Sequence, residues 1–374
     1  MTSGSPHHLR ESVLERARLL GLEHVGIARA DLPLEVDHER YARFVDANMF
    51  GDMAYLAEDI EARRRLDGDA VLPGAKSVVC IAKPYARSGE AEEHDPATAR
   101  LIARYARGQD YHNHFRKKLR RLAKFIRALA PGVSARPLCD VEPVLERAWA
   151  ARAGLGFVGK NGLVIVPGRG SFVLLGEVVT TLDLEPDVPM TERCGSCTRC
   201  LDACPTEAFA APFVLDPRKC IAYLTIESPN LPSKELRPRM GEHLFGCDDC
   251  QSVCPFNRTR PPEPEKTRAY SPLPAWTETD LEAVVRNDDA RFIELTTGSP
   301  VKRATRRGLA RNAVIVSANR LAKANGSAPI DGGAKESIGI DEARRALTAA
   351  LASADPVIAD LAKSELSRVE RDHG

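Results

Sequence analysis

The chain has 374 residues, 28% of them charged, with a formal net charge of +1. That length allows two or three domains, each with its own core, and the balanced charge excludes an overall field marking a general nucleic-acid binder, so any such role must come from local clustering. No apolar stretch approaches the roughly 18 residues that span a bilayer, and Met1 to Glu11 has neither the apolar core of a signal peptide nor a twin arginine, which predicts a cytoplasmic protein with no membrane partner.

Residues 10–185 read as an α/β domain. Glu11 to Leu20 is amphipathic and leads through Gly21 into a short strand, His24 to Ala28. Ser77 to Ala82 and Leu163 to Val166 are β-rich, and Phe172 to Thr181 is expected to pair with the latter as a hairpin across Pro167 to Gly170. Between them, His114 to Ala130 carries Leu119, Leu122, Phe125, Ile126 and Leu129 at helical spacing, with Arg116, Lys117, Arg120, Arg121, Lys124 and Arg127 largely opposite. A basic outer face on such a helix is ordinarily solvated. Cys80 and Cys139 lie in apolar or strand-like surroundings and read as core residues.

Residues 186–260 carry the strongest chemical signal. Cys194-Gly-Ser-Cys197-Thr-Arg-Cys200-Leu-Asp-Ala-Cys204-Pro205 has the spacing of a bacterial ferredoxin run, in which three thiolates hold one [4Fe-4S] cluster and the fourth reaches a second. A partner motif follows, Cys247-x2-Cys250-x3-Cys254-Pro255, but Leu244 stands where its first cysteine belongs, and Cys220 is the residue that can fill the gap. The crossover rule then assigns Cys194, Cys197, Cys200 and Cys254 to one cluster and Cys204, Cys220, Cys247 and Cys250 to the other. Structural zinc wants two separated pairs around one tetrahedral ion, and disulfides fit poorly in a reducing cytoplasm, so both readings are weaker.

Asn257 to Ala275 contains five prolines and reads as an extended linker. From Trp276 onward the pattern is helical: Ser299-Pro300 is a start signal for a helix running to about Lys323, a loop from Asn325 to Gly339 separates it from Asp341 to Ser353, and Asp355-Pro356 opens another helix. Paired short helices joined this way suggest a HEAT-type unit. Lys302, Arg303, Arg306 and Arg307, followed by Arg311, would cover an arc of roughly 140° on one continuous helix at about 100° per residue, a basic stripe that either lies solvated or lines phosphates.

Three further strings, Leu138-Cys-Asp-Val-Glu-Pro143, Gly159-Lys-Asn-Gly162 and Cys220-Ile-Ala-Tyr-Leu-Thr-Ile-Glu227, join the cysteine order in resembling the epoxyqueuosine reductase family over about residues 10 to 320. The resemblance implies an α/β cobalamin-binding catalytic domain (10–185), a ferredoxin-like two-cluster domain (186–260) and a C-terminal α-helical HEAT-like domain that binds tRNA (276–374). It implies an oxidoreductase in which an external low-potential donor feeds two [4Fe-4S] clusters and then cobalamin, removing the epoxide oxygen of epoxyqueuosine at the wobble position of a tRNA anticodon stem-loop. Asp140 would donate the proton and Arg147 would hold substrate. Arg63, Tyr105, Asp140, Val164, Ala222 and Asp248 would contact cobalamin, and Lys302, Arg303, Arg306 and Arg307 would contact tRNA. From the residues alone Asp140 reads rather as a helix N-cap, and Arg147, about two helical turns on, rather as a solvated residue. Cobalamin itself is not legible in the residues, since Asp110-Tyr-His112 lacks the glycine of the Asp-x-His-x-x-Gly cobalt-ligating signature. Two other readings share parts of this logic, a reductive dehalogenase-like enzyme and a ferredoxin-type electron carrier, although a full domain preceding the cysteines argues against a mere carrier.

Overall fold

The computed structural model describes residues 5–87, 89–140, 142–258, 268–326 and 334–371. Its first region is built on a four-stranded antiparallel sheet of order β1-β2-β6-β3, formed by β1 (His24–Arg29), β2 (Ser77–Pro84), β3 (Ala135–Leu138) and β6 (Val173–Thr180). Alternation along the strands sends side chains to two opposite faces. Val79, Ile81 and Val178 meet the helices Pro6–Leu19 and Tyr111–Arg127 through Val13, Phe115, Leu119 and Ile126, whereas Val78, Cys80 and Val179 meet Trp149, Ala150 and Ala153 at the helix Glu146–Arg152. Ser5 caps the first helix and Pro6 opens it, so it starts five residues ahead of the expected Glu11.

The expected hairpin across Pro167 to Gly170 does not form. β5 (Val164–Ile165) pairs instead with β4 (Phe157–Val158), and β6 joins β2 in the main sheet, where it completes an apolar layer on both faces; Val166 and Gly170 keep one isolated bridge. Gly170 sits at φ +74°, and a Cβ there would collide with Asn257, whose side chain accepts from Ser171 N–H (2.6 Å) and donates to Ser171 Oγ (3.0 Å). This close approach seats the cysteine-rich region against the sheet.

In that region β7 (Phe209–Ala211) and β8 (Val214–Leu215) form a small hairpin, and short helices at Arg199–Asp202, Ile221–Ile226 and Asp249–Ser252 follow cysteines. Residues 259–267 of the expected linker lie outside the described residues. One apolar core, including Ile221, Leu224, Leu244 and Phe245, continues into the C-terminal helices through Trp276, Val284, Leu309, Val314, Leu347 and Leu361.

The C-terminal region is helical, with packed helices at Leu281–Arg286, Arg306–Gly326, Ala334–Leu351 and Pro356–Arg371. Two expectations fail there. Ser299 caps only a 3-10 turn, Pro300–Ala304, because Thr305 at φ +62° breaks the chain before the long helix restarts at Arg306. The loop expected over 325–339 is also shorter, since helix resumes at Ala334; residues 327–333 lie outside the described residues. No helix among the described residues is long and apolar enough to cross a membrane.

Candidate functional site

The cysteines gather in two groups. Cys194, Cys197, Cys200 and Cys254 line one cavity with Lys160, Asn161, Ile165 and Phe256, and Lys160 Nζ donates to the Gly195 carbonyl at 2.6 Å. Burial pushes the Cys194 thiol up to about 11. Cys220 lies close to Cys204, and Cys247 close to both Cys250 and Cys220. Burial drives the Cys247 thiol up and takes Cys250 to about 12, with Cys220 and its neighbours opposing ionisation further. Cys250 also senses Cys200, which puts the two groups side by side. Thiols this crowded hold their protons until a cation replaces them, and iron is such a replacement.

Cys220 precedes the helix Ile221–Ile226, and the backbone amides of Ala222 and Tyr223 point at its sulfur, as a helix N-terminus favours. Leu244, at the position of the missing cysteine, is wholly buried in the shared core and donates its amide to the Leu101 carbonyl. His243 adds a ring nitrogen 3.8 Å from Cys247 Sγ and 3.1 Å from Asp249.

Asp140 follows β3 but caps no helix: the next one starts at Glu146 with Leu145 at its N-cap. Aspartate 140 instead holds φ +63°, a left-handed conformation rare outside glycine and asparagine-like residues. Its amide donates to Glu146 Oε1 (2.9 Å), and the Cys139 amide donates to Glu142 Oε2 (3.2 Å). The Asp140 carboxylate accepts from the Tyr111 hydroxyl (2.5 Å) and lies 3.6 Å from His112 Nε2. The Asp140 side chain is 55% exposed. Hydrogen bonding to Asp110, and then to Asp140, raises the His112 pKa to about 9, which makes it an imidazolium at neutral pH. Tyr111, His112 and Asp110 were missed as site residues; their one signal was an Asp-Tyr-His run at a helix start, where Asp110 is the N-cap.

Arg147 does not stand on the same helix as Asp140. It reaches the surface beside the site, crowded enough that burial lowers its pKa, and donates to the Gly162 carbonyl at 2.6 Å. Arg63 is buried, with its guanidinium over the Tyr41 ring (5.1 Å) and its Nε without a partner. The Tyr105 hydroxyl is driven up by burial and by Asp140, Asp248 and Glu227. Asp248 accepts from the Arg104 amide (2.8 Å) and guanidinium (3.2 Å), Val164 is buried beneath the sheet's second face, and Ala222 carries its amide toward Cys220. Residues 102–105 meet 245–248 through the Ile102–Phe245 bridge and the Tyr105–Phe245 rings, so the Asp140 neighbourhood adjoins the Cys247 group.

The basic residues form no single stripe, because Thr305 interrupts them. Lys302 is exposed; Arg303 pairs with Glu227 (2.8 Å), Arg306 with Asp289 (2.7 Å) and Arg307 with Asp355 (2.6 Å). Arg303 also lies over Tyr55 (5.8 Å), a ring that senses Asp140, so this residue borders the same cleft rather than a remote domain. Arg311 is 3% exposed and bonded to main-chain carbonyls, which removes it from any surface patch.

Residues 193–257 match the family described as 4Fe-4S double cluster binding domain, and residues 65–141 match Epoxyqueuosine reductase QueG, DUF1730. The epoxyqueuosine reductase of Gloeobacter violaceus is 43% identical over 305 residues, 80% of this chain and 93% of that protein. A crystal structure of epoxyqueuosine reductase with an epoxyqueuosine-modified tRNA-Tyr stem loop superimposes with a TM-score of 0.77 at 27% identity, covering 98% of this chain and 100% of that one. The Bacillus subtilis epoxyqueuosine reductase, captured with its catalytic aspartate loop swung out of the active site, gives 0.76 at 27% identity over 97% of this chain and 99% of that one.

Proposed function

The chain belongs to the epoxyqueuosine reductase family, and on that premise we propose that Asp140 protonates the epoxide oxygen as the ring opens. The enzyme reduces epoxyqueuosine in tRNA to queuosine. Converting an epoxide to an alkene consumes two electrons and two protons, and the oxygen leaves as water, so the site must supply protons as well as electrons. A positioned acid contributes about 10² to 10⁴ in rate. The observation that carries the reading is the Asp140 carboxyl, held out to solvent by a left-handed backbone between the Tyr111 hydroxyl and His112. Once the proton has left its oxygen, those two donors stabilise the carboxylate that remains.

Cys194, Cys197, Cys200 and Cys254 hold one [4Fe-4S] cluster, and Cys204, Cys220, Cys247 and Cys250 the other; the eight thiols in two adjoining groups suit that pair. When bound, the clusters would supply single electrons at low potential, drawn from an external donor. Cobalamin supplies, when bound, a reduced nucleophilic cobalt. The residues present fit it: Arg63 offers a buried unpartnered Nε, Tyr105 and Asp248 lie between Asp140 and the Cys247 group, Val164 offers apolar packing and Ala222 a backbone surface. Asp140 would stand at its edge.

Arg147 orients the substrate nucleoside, and Lys302, Arg303, Arg306 and Arg307 meet the phosphates of the anticodon stem-loop. Exposed ion pairs such as Arg306–Asp289 are worth about 0 to 1 kcal/mol, so RNA can displace them at little cost. On this reading residues 10–185 bind cobalamin, 186–260 carry the clusters and 276–374 form a HEAT-like tRNA-binding unit, all working in a reducing cytoplasm that keeps the ten cysteines out of disulfides. Anaerobic incubation of reconstituted protein with cobalamin, a low-potential reductant and epoxyqueuosine-containing tRNA tests it. Nucleoside analysis should show queuosine, and unchanged epoxyqueuosine with clusters and cobalamin loaded would refute it.

A further inference from the structure

Beneath Asp140 lies a group of carboxyls that the proton transfer itself does not use. Glu177 projects from β6 onto the face covered by the helix Glu146–Arg152; it is 0% exposed, and neither of its oxygens has a partner of good geometry. The Glu146 and Glu142 carboxyls nearby oppose its ionisation further. An unpaired buried carboxylate costs several kcal/mol or more, so Glu177 keeps its proton. The cations nearby do not relieve it. Arg147 attracts Glu146 but gives its hydrogen bond to the Gly162 carbonyl, and Arg116 reaches Glu142 at 3.5 Å. Asp140 and Glu142 from the same turn, and the Cys80 and Cys139 thiols from the sheet side, complete the surroundings.

Glu146 also makes the one described hydrogen bond to the Asp140 amide. A residue at φ +63° stays there only when its surroundings hold it. We propose that Glu146 is the positioning residue for Asp140: its carboxyl latches the Asp140 amide and keeps the catalytic carboxyl in the site. The inference rests on the reading of Asp140 as proton donor. Beneath Glu146, protonated Glu177 adds no charge. Burial, and then the Asp140 charge, raise Glu146 to about 7, while the hydrogen bond from the Asp140 amide lowers it. That bond favours the ionised carboxyl, so the latch tightens as pH rises through that value.

Hydrogen exchange at the Cys139 and Asp140 amides, corrected for intrinsic rates and measured from pH 6 to 9, reads the latch directly, alongside kcat and KM of the fully loaded enzyme. In E146A the Asp140 amide should exchange about tenfold faster or more, the equivalent of one lost hydrogen bond, with kcat reduced and KM for the RNA within about twofold. In E146Q the amide oxygen still accepts from Asp140, so protection and kcat should return, without the parent's rise in protection through about pH 7. Exchange in E146A within about twofold of the parent, parent-like kcat in E146A, or E146Q as impaired as E146A would each overturn the proposal. Should E146A fail to fold, the parent's own profile decides, because protection of the Asp140 amide must rise as pH passes through about 7, and a flat profile overturns the latch. The exchange readout does not need catalysis, so a fully active D140N would sink the proton-donor reading while leaving the latch to be judged on its own.

Discussion

Replacing Arg311 with alanine separates a structural arginine from those offered to RNA. Arg311 is 3% exposed and donates to the carbonyls of Ser228 (2.8 Å), Asn230 (2.5 Å) and Leu224 (2.6 Å), with its Nε on Asn312 Oδ1 (3.1 Å). Among the described residues no carboxylate pairs with it, and burial pulls its pKa down to about 10. Those carbonyls belong to the segment after Cys220, so the side chain bolts the long C-terminal helix to the cluster region. Removing it leaves several buried acceptors without donors at about 1 to 3 kcal/mol each, partly offset by water entering the space, for a net loss of roughly 3 to 5 kcal/mol. At about 2 to 4 °C per kcal/mol for a large domain, the unfolding midpoint should fall by roughly 6 °C or more. Arg306 and Arg307 sit in exposed pairs worth about 0 to 1 kcal/mol, so R306A and R307A should move it by no more than about 2 °C. Anaerobic circular-dichroism melts of the holoprotein at one scan rate make the comparison. An R311A midpoint as close to the parent as those of R306A and R307A would refute the reasoning.

The double variant R306A/R307A should weaken stem-loop binding and flatten the salt dependence of log K by about 0.7 to 0.9 per lost phosphate contact, leaving iron content unchanged; affinities at several salt concentrations check this, and identical slopes would leave both arginines as solvated residues. C220A should reduce iron after anaerobic reconstitution from about eight to about four per chain, whereas unchanged iron would remove Cys220 from the ligand set. His112, raised from 6.5 to about 9 by Asp110 and Asp140, stabilises the fold fully below its unfolded pKa and loses that contribution as pH rises through about 9. H112N should therefore show a smaller decline in melting midpoint between pH 6.5 and 9.5 than the parent; equal declines would mean the pair does not form.

The cysteine spacing was legible because a cysteine run is local: each thiol of a Cys-x2-Cys run is tied to its neighbour by a few bonds, and Cys220, outside both motifs, lies beside Cys204 and Cys247. Helices were legible from periodicity, as Phe115, Leu119 and Ile126 show by facing the sheet. Strand pairing was not, because β6 satisfies the alternation rule equally well beside β5 or β2, and only the tertiary layer chooses. Thr305 hid the break in the basic segment, since nothing in its residue type demands a positive φ. Arg303 and Arg311 look alike in sequence, yet one borders the cleft and the other is buried among carbonyls. The carboxyl group below Asp140 was invisible for the same reason: Glu146 and Glu177 lie far apart along the chain, and Leu138 pairs with Glu177 only because β3 adds to the far edge of β6.

The central claim is that Asp140 delivers the proton, and D140N tests it most directly. Asparagine tolerates the left-handed backbone at φ +63° and can still accept from the Tyr111 hydroxyl, so fold and loop are kept while the acidic proton is removed. Turnover of an epoxyqueuosine-containing stem-loop, followed anaerobically by nucleoside analysis, should fall by about 10² or more, with iron content, cobalamin spectrum and RNA affinity matching the parent. Turnover within about threefold of the parent would contradict the account and place the proton donor elsewhere.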